Sequence, residues 1–268
     1  MIPERRTKRN RLFWCVGAAV FAVWAASMAW LLGDTSRGPI LTRPTSYGAL
    51  VPADSLDLTY GVWAGERSVG TVSYRVRAEG SGRRIAWRMS LQMQAGGSLV
   101  PVAADGFSIL DSRGTLSSFA ATAAIGPQTF EVRGSRSEDV LTVHYAGLGV
   151  SQARVFQVDS TLAIGDGFSP GLVAGCPARS ERLTWQLLDP LTMTAAEVSL
   201  ERERGRVEPP APDGGCVLVV MYKGLKTLMW IDPRGIVVRQ RTPVGWDLVL
   251  KPDPRTETGG STSSSRGL

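Results

Sequence analysis

Between residues 85 and 94 the chain alternates strictly. Ile85, Trp87, Met89, Leu91 and Met93 are apolar, while Ala86, Arg88, Ser90, Gln92 and Gln94 are small or polar. A strand sends the two sets to opposite faces, one toward a core and one toward water. Val69, Val72, Tyr74 and Val76 continue the pattern upstream, and Gly80-Ser81-Gly82 between the two runs reads as a hairpin turn. Further strands are expected at 107–110, 116–124, 129–132, 140–145 and 154–158. Asp111-Ser112-Arg113-Gly114, Gly126-Pro127 and Gly134-Ser135 supply turns between them. Residues 162–175, rich in glycine, read as a long loop with one helical turn. Strands then resume at 182–188, 195–203, 217–222, 227–232, 236–241 and 246–250. Residues 201–215 alternate in charge and break at Pro209-Pro210 and Pro212, which predicts a solvated hairpin tip or insertion. Short strands about ten residues apart, separated by turn signals, predict an all-β, mainly antiparallel domain.

Such a sheet has no obvious helix to cover its inner face. Curling into a curved sheet or half-barrel hides that face and leaves an apolar concavity. Trp87, Met89, Met93, Phe119, Met229 and Trp230 are the candidate ligand-binding residues, with Met221 beside them. Met and Trp side chains line adaptable apolar pockets. The same residues also build ordinary cores.

Charge divides the chain. The formal net charge is +6, and residues 1–11 hold Arg5, Arg6, Lys8, Arg9 and Arg11 against Glu4 alone. The basic balance that suggests nucleic acid is therefore mostly an N-terminal arm, and no nucleic-acid partner is expected. An uncharged apolar run opens at Leu12 and closes at Leu32. As a helix it would span about 31 Å, the thickness of a bilayer core. Trp14 and Trp30 stand near its ends, and Asp34 follows it. Residues 12–32 thus predict one transmembrane helix, an uncleaved anchor with its N-terminus in the cytoplasm and the body exported. A cleaved signal peptide, with Ser27-Met28-Ala29 as cleavage site, is the competing reading. The predicted order is a basic arm at 1–11, the anchor at 12–32 and a tether at 33–54. The β domain follows at 55–251, and a disordered tail at 252–268.

The chemistry on offer is sparse. The sole histidine, His144, falls on the polar side of its strand. No Gly-x-Ser-x-Gly elbow, phosphate loop or metal-ligand spacing occurs, so no catalytic residue, cofactor or metal is assigned. Glu201 and Glu203 share a side of their strand, but arginines interleave them and a solvated hairpin face is expected. Cys176 and Cys216 are the only thiols outside the apolar run. In an oxidising compartment they either pair across a loop of about forty residues or stay separate buried thiols.

Two passages carry a resemblance. One is Leu58-Thr59-Tyr60-Gly61-Val62-Trp63 with Ser68-Val69-Gly70-Thr71-Val72. The other is Leu228-Met229-Trp230-Ile231-Asp232-Pro233-Arg234-Gly235-Ile236-Val237, and the stretch 107–119 follows the same strand, Asp-x-x-Gly turn, strand plan. They resemble bacterial exported β-domains of the kind found before transglutaminase-like domains, and the curved sheet of lipoprotein carriers. The resemblance implies a curved antiparallel sheet with an apolar concave side, and it transfers no catalytic site. The expectation is a non-enzymatic protein tethered to the bacterial inner membrane, its β-domain in the periplasm binding an apolar ligand such as a lipid, or a protein partner. The alternatives are a ligand-free scaffold or accessory subunit of an envelope enzyme or transporter, and a hydrolase assembled from distant strands.

Overall fold

A computed structural model describes residues 41–45, 47–51, 55–95, 97–164, 175–189 and 193–252. The chain divides into two units, Met1–Leu41 and Thr42–Leu268. The basic arm, the apolar run 12–32 and the tail from residue 253 lie outside the described residues, among which no helix is long and apolar enough to cross a membrane.

The second unit is all β apart from one helical turn. Its elements are β1 (Leu41–Pro44), α1 (Tyr47–Leu50), β2 (Leu56–Ala64), β3 (Arg67–Glu79), β4 (Gly82–Ala95) and β5 (Ser98–Leu110). Then come β6 (Leu116–Ile125), β7 (Gln128–Ser137), β8 (Val140–Gly147), β9 (Val150–Gln157) and β10 (Ala163–Ile164). The last group is β11 (Glu181–Asp189), β12 (Thr194–Arg202), β13 (Cys216–Tyr222), β14 (Leu225–Ile231), β15 (Val237–Arg241) and β16 (Trp246–Leu250). All join one unclosed sheet in the order β1-β11-β12-β13-β14-β15-β16-β2-β3-β4-β5-β6-β7-β8-β9, with β10 parallel to β11. The last strand, β16, pairs antiparallel with the early strand β2, Leu248 opposite Val62, and so joins two meanders into one sheet.

Alternation sorts the side chains. Leu58, Tyr60 and Val62 of β2 face the same side as Val72, Tyr74 and Val76 of β3 and Ile85 and Leu91 of β4. These are buried, as are Leu141, Val143, Leu200, Leu218 and Leu248 from strands far away along the sheet. One continuous core therefore lies on the inner face, and the sheet covers itself by curving. Tyr60 is wholly buried; its hydroxyl donates to the Val237 carbonyl at 2.8 Å, and its ring meets Tyr74 edge-on with centroids 6.1 Å apart. Burial, reinforced by the charge of Asp232, raises its pKa well above the ordinary phenol value.

Three readings from sequence change. Residues 41–51 are not only a tether: they form β1 and α1, Thr45 N–H donates to Thr184 O at 2.8 Å, and Val51 is buried. The loop expected from residue 162 begins instead with β10, where Ala163 is fully buried against β11. The stretch 203–215 is exposed along much of its length, as expected of a solvated insertion, but it is also a cover over the sheet. Trp230 lies buried beneath it, with its indole N–H donating to Pro209 O at 2.7 Å.

Candidate functional site

In an antiparallel meander, alternate turns share a rim. The β2–β3, β4–β5, β6–β7, β8–β9, β13–β14 and β15–β16 turns lie along one rim of the sheet. The β3–β4, β5–β6, β7–β8, β12–β13 and β14–β15 connections lie along the other. The inner face differs between them. Toward the second rim, Val76, Ile85, Leu110, Leu116 and Leu141 are buried. Toward the first rim the register rows open. Trp87, Gly106, Ala121 and Tyr145 are half-buried in one row around buried Val132, as are Met89, Ala123, Phe130 and Gly147 in the next around buried Ala104. Beyond them Leu91 and Val102 are buried again, while Ile125 in the same row is 45% and Met93 is 39% exposed. The inner face of β4 to β8 is thus an apolar surface closed toward the second rim and open toward the first at Met93 and Ile125, beside buried Leu91 and Val102.

Glycines shape its floor. Each of three aromatic side chains stands opposite a glycine on the next strand: Trp87 and Gly106, Phe119 and Gly134, Phe130 and Gly147. A Cβ on Gly134 would come within 2.1 Å of the Phe119 ring, and one on Gly106 within 2.8 Å of Trp87. The rings therefore lie down across the neighbouring strand instead of standing into the concavity. With Ala104, Ala121 and Ala123 alongside, the surface is broad and low.

The sequence pattern groups Trp87, Met89, Met93 and Phe119, and the structure sets all four on this inner face. Met229 faces inward too, but on β14, opposite Gln240. Trp230 and Met221 face outward, because neighbours on a strand alternate. Trp230 is enclosed by the 203–215 cover, and the Arg239 and Arg241 guanidinium groups lie 5.4 and 5.7 Å from its ring. Ala121, Ala123, Phe130 and Tyr145 complete the face and do not stand out in the sequence. Their signal is the same period of two, diluted by small residues. On the inner face of β11 and β13, Trp185 Nε1 and Tyr222 Oη share a register row and are buried without a hydrogen-bond partner among the described residues.

Other candidates resolve differently. His144 is exposed on the outer face, beside a shallow groove of about 290 Å³ with Glu131, Arg133 and Ser151. Glu131 accepts a hydrogen bond from Arg133 at 2.7 Å. A larger open groove, about 1020 Å³, lies at the second rim among Asp111, Arg113, Arg136, Asp139 and Asp159. Its polar groups hold turns: Asp111 accepts from the N–H of Arg113 and Thr115, and Arg136 donates to the Asp159 carbonyl at 2.7 Å. Glu201 pairs with Arg182 at 2.9 Å and Glu203 with Lys226 at 2.7 Å. Among the described residues, no group of three or more His, Cys, Asp or Glu side chains is placed to hold a metal ion. Cys176 and Cys216 are bridged, their Cα atoms 6.2 Å apart, which ties residue 176 to the start of β13.

No family model matches the chain, and no curated protein matches it. Among solved structures, a DUF1089 family protein from Pseudomonas aeruginosa is similar at 14% identity and a TM-score of 0.37. The match covers 66% of this chain and 92% of that one, and a likeness this loose carries no argument.

Proposed function

We propose that this is a non-enzymatic, membrane-tethered envelope protein whose β-domain holds an apolar ligand, such as a lipid, on the inner face of β4 to β8. The burial gradient carries the reading. An ordinary core is closed at both ends, whereas this face runs from fully buried Leu141 to an edge that Leu91 and Val102 close in part and Met93 and Ile125 leave open. Trp185 Nε1 and Tyr222 Oη, buried and unpaired, offer polar anchors elsewhere on the same face. The apolar run 12–32 supports the tether and the periplasmic placement of the domain.

The test begins with the full chain in detergent, by native mass spectrometry and solvent extraction for retained lipid. Displacement of a fluorescent naphthylamine probe then measures binding to the open face. Ala123→Trp, which fills the space between Ala104 and Phe130, should weaken probe binding several-fold while leaving the fold intact by circular dichroism. A folded protein with neither retained lipid nor probe binding would sink the proposal.

A second reading, a scaffold for an envelope partner, has one observation in its favour. Among the described residues β9 is paired on one side only, it has no Pro or bulge, and Arg154 is its single charge. Such an edge accepts an added strand. Crosslinks from β9 to a stoichiometric protein, without lipid in the domain, would favour it.

A further inference from the structure

Among the described residues, eleven large apolar side chains are exposed, and eight of them sit at hairpins of the first rim. Six hairpins in succession along that rim carry at least one: Leu225, Val244, Trp63, Met93, Ile125 and Leu148. None of the eleven is at a hairpin turn of the opposite rim. We infer that the apolar rim seats on a lipid bilayer surface, its hairpin tips entering the boundary between headgroups and acyl chains.

Charge does not oppose this placement. The acids at the apolar rim are Glu66, next to Arg67 in sequence, Asp189, 3.8 Å from Lys223 Nζ, and Asp247, paired with Arg239 and Arg241. The opposite rim carries Asp111, Glu138, Asp139, Asp159, Asp213 and Asp232, interspersed with Arg113, Arg136, Arg204, Arg206 and Arg234. Each acid at the apolar rim stands beside a basic residue, so an anionic membrane meets little opposition there. Shape argues for lipid over a second protein. A stable protein interface needs about 800 Å² of continuous, complementary surface on each partner. Separate tips, each showing one or two apolar side chains, do not offer that. A soft interface admits them one by one, and an indole such as that of Trp63 favours this depth. Val244 at 71% and Leu148 at 63% exposure are the most prominent of the tips. The inference stands apart from the ligand reading at its most exposed tips, Leu148 and Val244, which project from turns, whereas Met93 and Ile125 border the inner face as well.

The test uses the full chain reconstituted in vesicles of phosphatidylethanolamine and phosphatidylglycerol. A photoreactive benzoyl-phenylalanine replaces Leu148 or Val244 on the apolar rim, or Ser112 or Arg234 on the other as controls. After irradiation, several-fold more lipid adduct is expected at Leu148 and Val244 than at the controls. Equal labelling of both rims, or no lipid adduct at the apolar one, overturns the inference. A protein adduct in place of lipid at the apolar rim also overturns it and points to a docking partner. The double variant Leu148→Asp with Val244→Asp supplies an independent measurement. Hydrogen exchange at the 125–128 tip should be slowed when the wild-type chain moves from detergent to vesicles, and this slowing should be lost in the variant. Retention of the full slowing in the variant counts against seating on lipid.

Discussion

Two neighbouring hairpins make the contrast between the rims concrete. The β14–β15 turn is Asp232-Pro233-Arg234-Gly235, and the β15–β16 turn is Thr242-Pro243-Val244-Gly245. Their backbones match. Gly235 N–H donates to Asp232 O at 2.9 Å, and Gly245 N–H donates to Thr242 O at 3.0 Å. Asp232 N–H donates to Ile236 O, and Thr242 N–H to Trp246 O. The first side chain caps in both: Asp232 Oδ1 accepts from Ile236 N–H at 2.8 Å and Thr242 Oγ1 from Trp246 N–H at 3.0 Å. Both glycines are left-handed, with φ of 85° and 82°, a conformation that a side chain disfavours. Turn geometry therefore does not decide between Arg and Val at the third position. What differs is the rim on which each turn lies.

The largest expected effect tests whether the inner face really closes toward the polar rim. Leu141→Ala, at a wholly buried position, should cost about 2–5 kcal/mol of unfolding free energy. Ile125→Ala at the open end should cost far less. Urea titration of both variants measures the gradient, and equal losses would erase it. Next is the disulfide, which joins the polar rim at the start of β13. Replacing both Cys176 and Cys216 by Ala should cost about 3–4 kcal/mol on the chain-entropy account of a loop this long. Thermal unfolding of the variant checks this, and an unchanged midpoint would show that the bridge adds nothing to the closed end.

Gly134→Ala probes the floor between the rims. Phe119 must move off its glycine, at a cost of about 1–3 kcal/mol for an overpacked core. Gly149→Ala, at the β8–β9 tip, meets nothing within 4 Å and is strained only by its φ of 74°. If Gly134→Ala proved neutral, the stacked arrangement of ring on glycine would be wrong.

Acid should first loosen the strand ends that depressed carboxylates hold. Hydrogen bonds from Arg75, and from Arg77, hold Asp57 below the usual carboxylate range, and one from Lys226 does the same for Glu203. Both lie toward the polar rim, at the start of β2 and the end of β12. Asp247, near the apolar rim, is raised by burial, but Arg239 and Arg241 outweigh that and hold it low. For a depressed carboxylate, the stability is present in full above the unfolded pKa of about 4 and is lost as pH falls through the folded value. Hydrogen exchange on stepping down in pH should therefore rise at the β2 and β12–β13 ends before the β6–β7 tip. A uniform rise would dissolve the distinction.

Much of this architecture is legible in the amino-acid sequence. The alternation from Ile85 to Met93 is β4, and the Asp-x-x-Gly signals are the turns at Asp111 and Asp232. Long-range pairing is not legible, because nothing local in Trp246 or Leu248 names β2 as a partner. The cover over Trp230 is hidden for a related reason: a charged, proline-broken stretch does not reveal which surface its carbonyls reach. Alternation alone separates Met229 from Trp230, since adjacent strand residues cannot share a face. The site itself is half visible. Large residues on β4 stand out, whereas Ala121, Ala123 and Gly147 carry too little side chain to register as a face.

The smallest effect sharpens the comparison most. Thr242→Asp with Val244→Arg writes the β14–β15 turn into the β15–β16 hairpin. Arg234 already occupies the equivalent position, with its guanidinium 2.8 Å from the Asp232 carboxylate. The grafted pair should form the same contact, and stability should change by no more than about 0.5 kcal/mol, as for exposed positions in general. A loss of several kcal/mol would mean that Val244 is held by packing rather than exposed for a purpose. In that case the polarity of the rims would reflect folding and not the surface they meet. If stability is unchanged, the valine is dispensable to the fold, and its place at 71% exposure in an otherwise identical turn calls for a reason outside the domain.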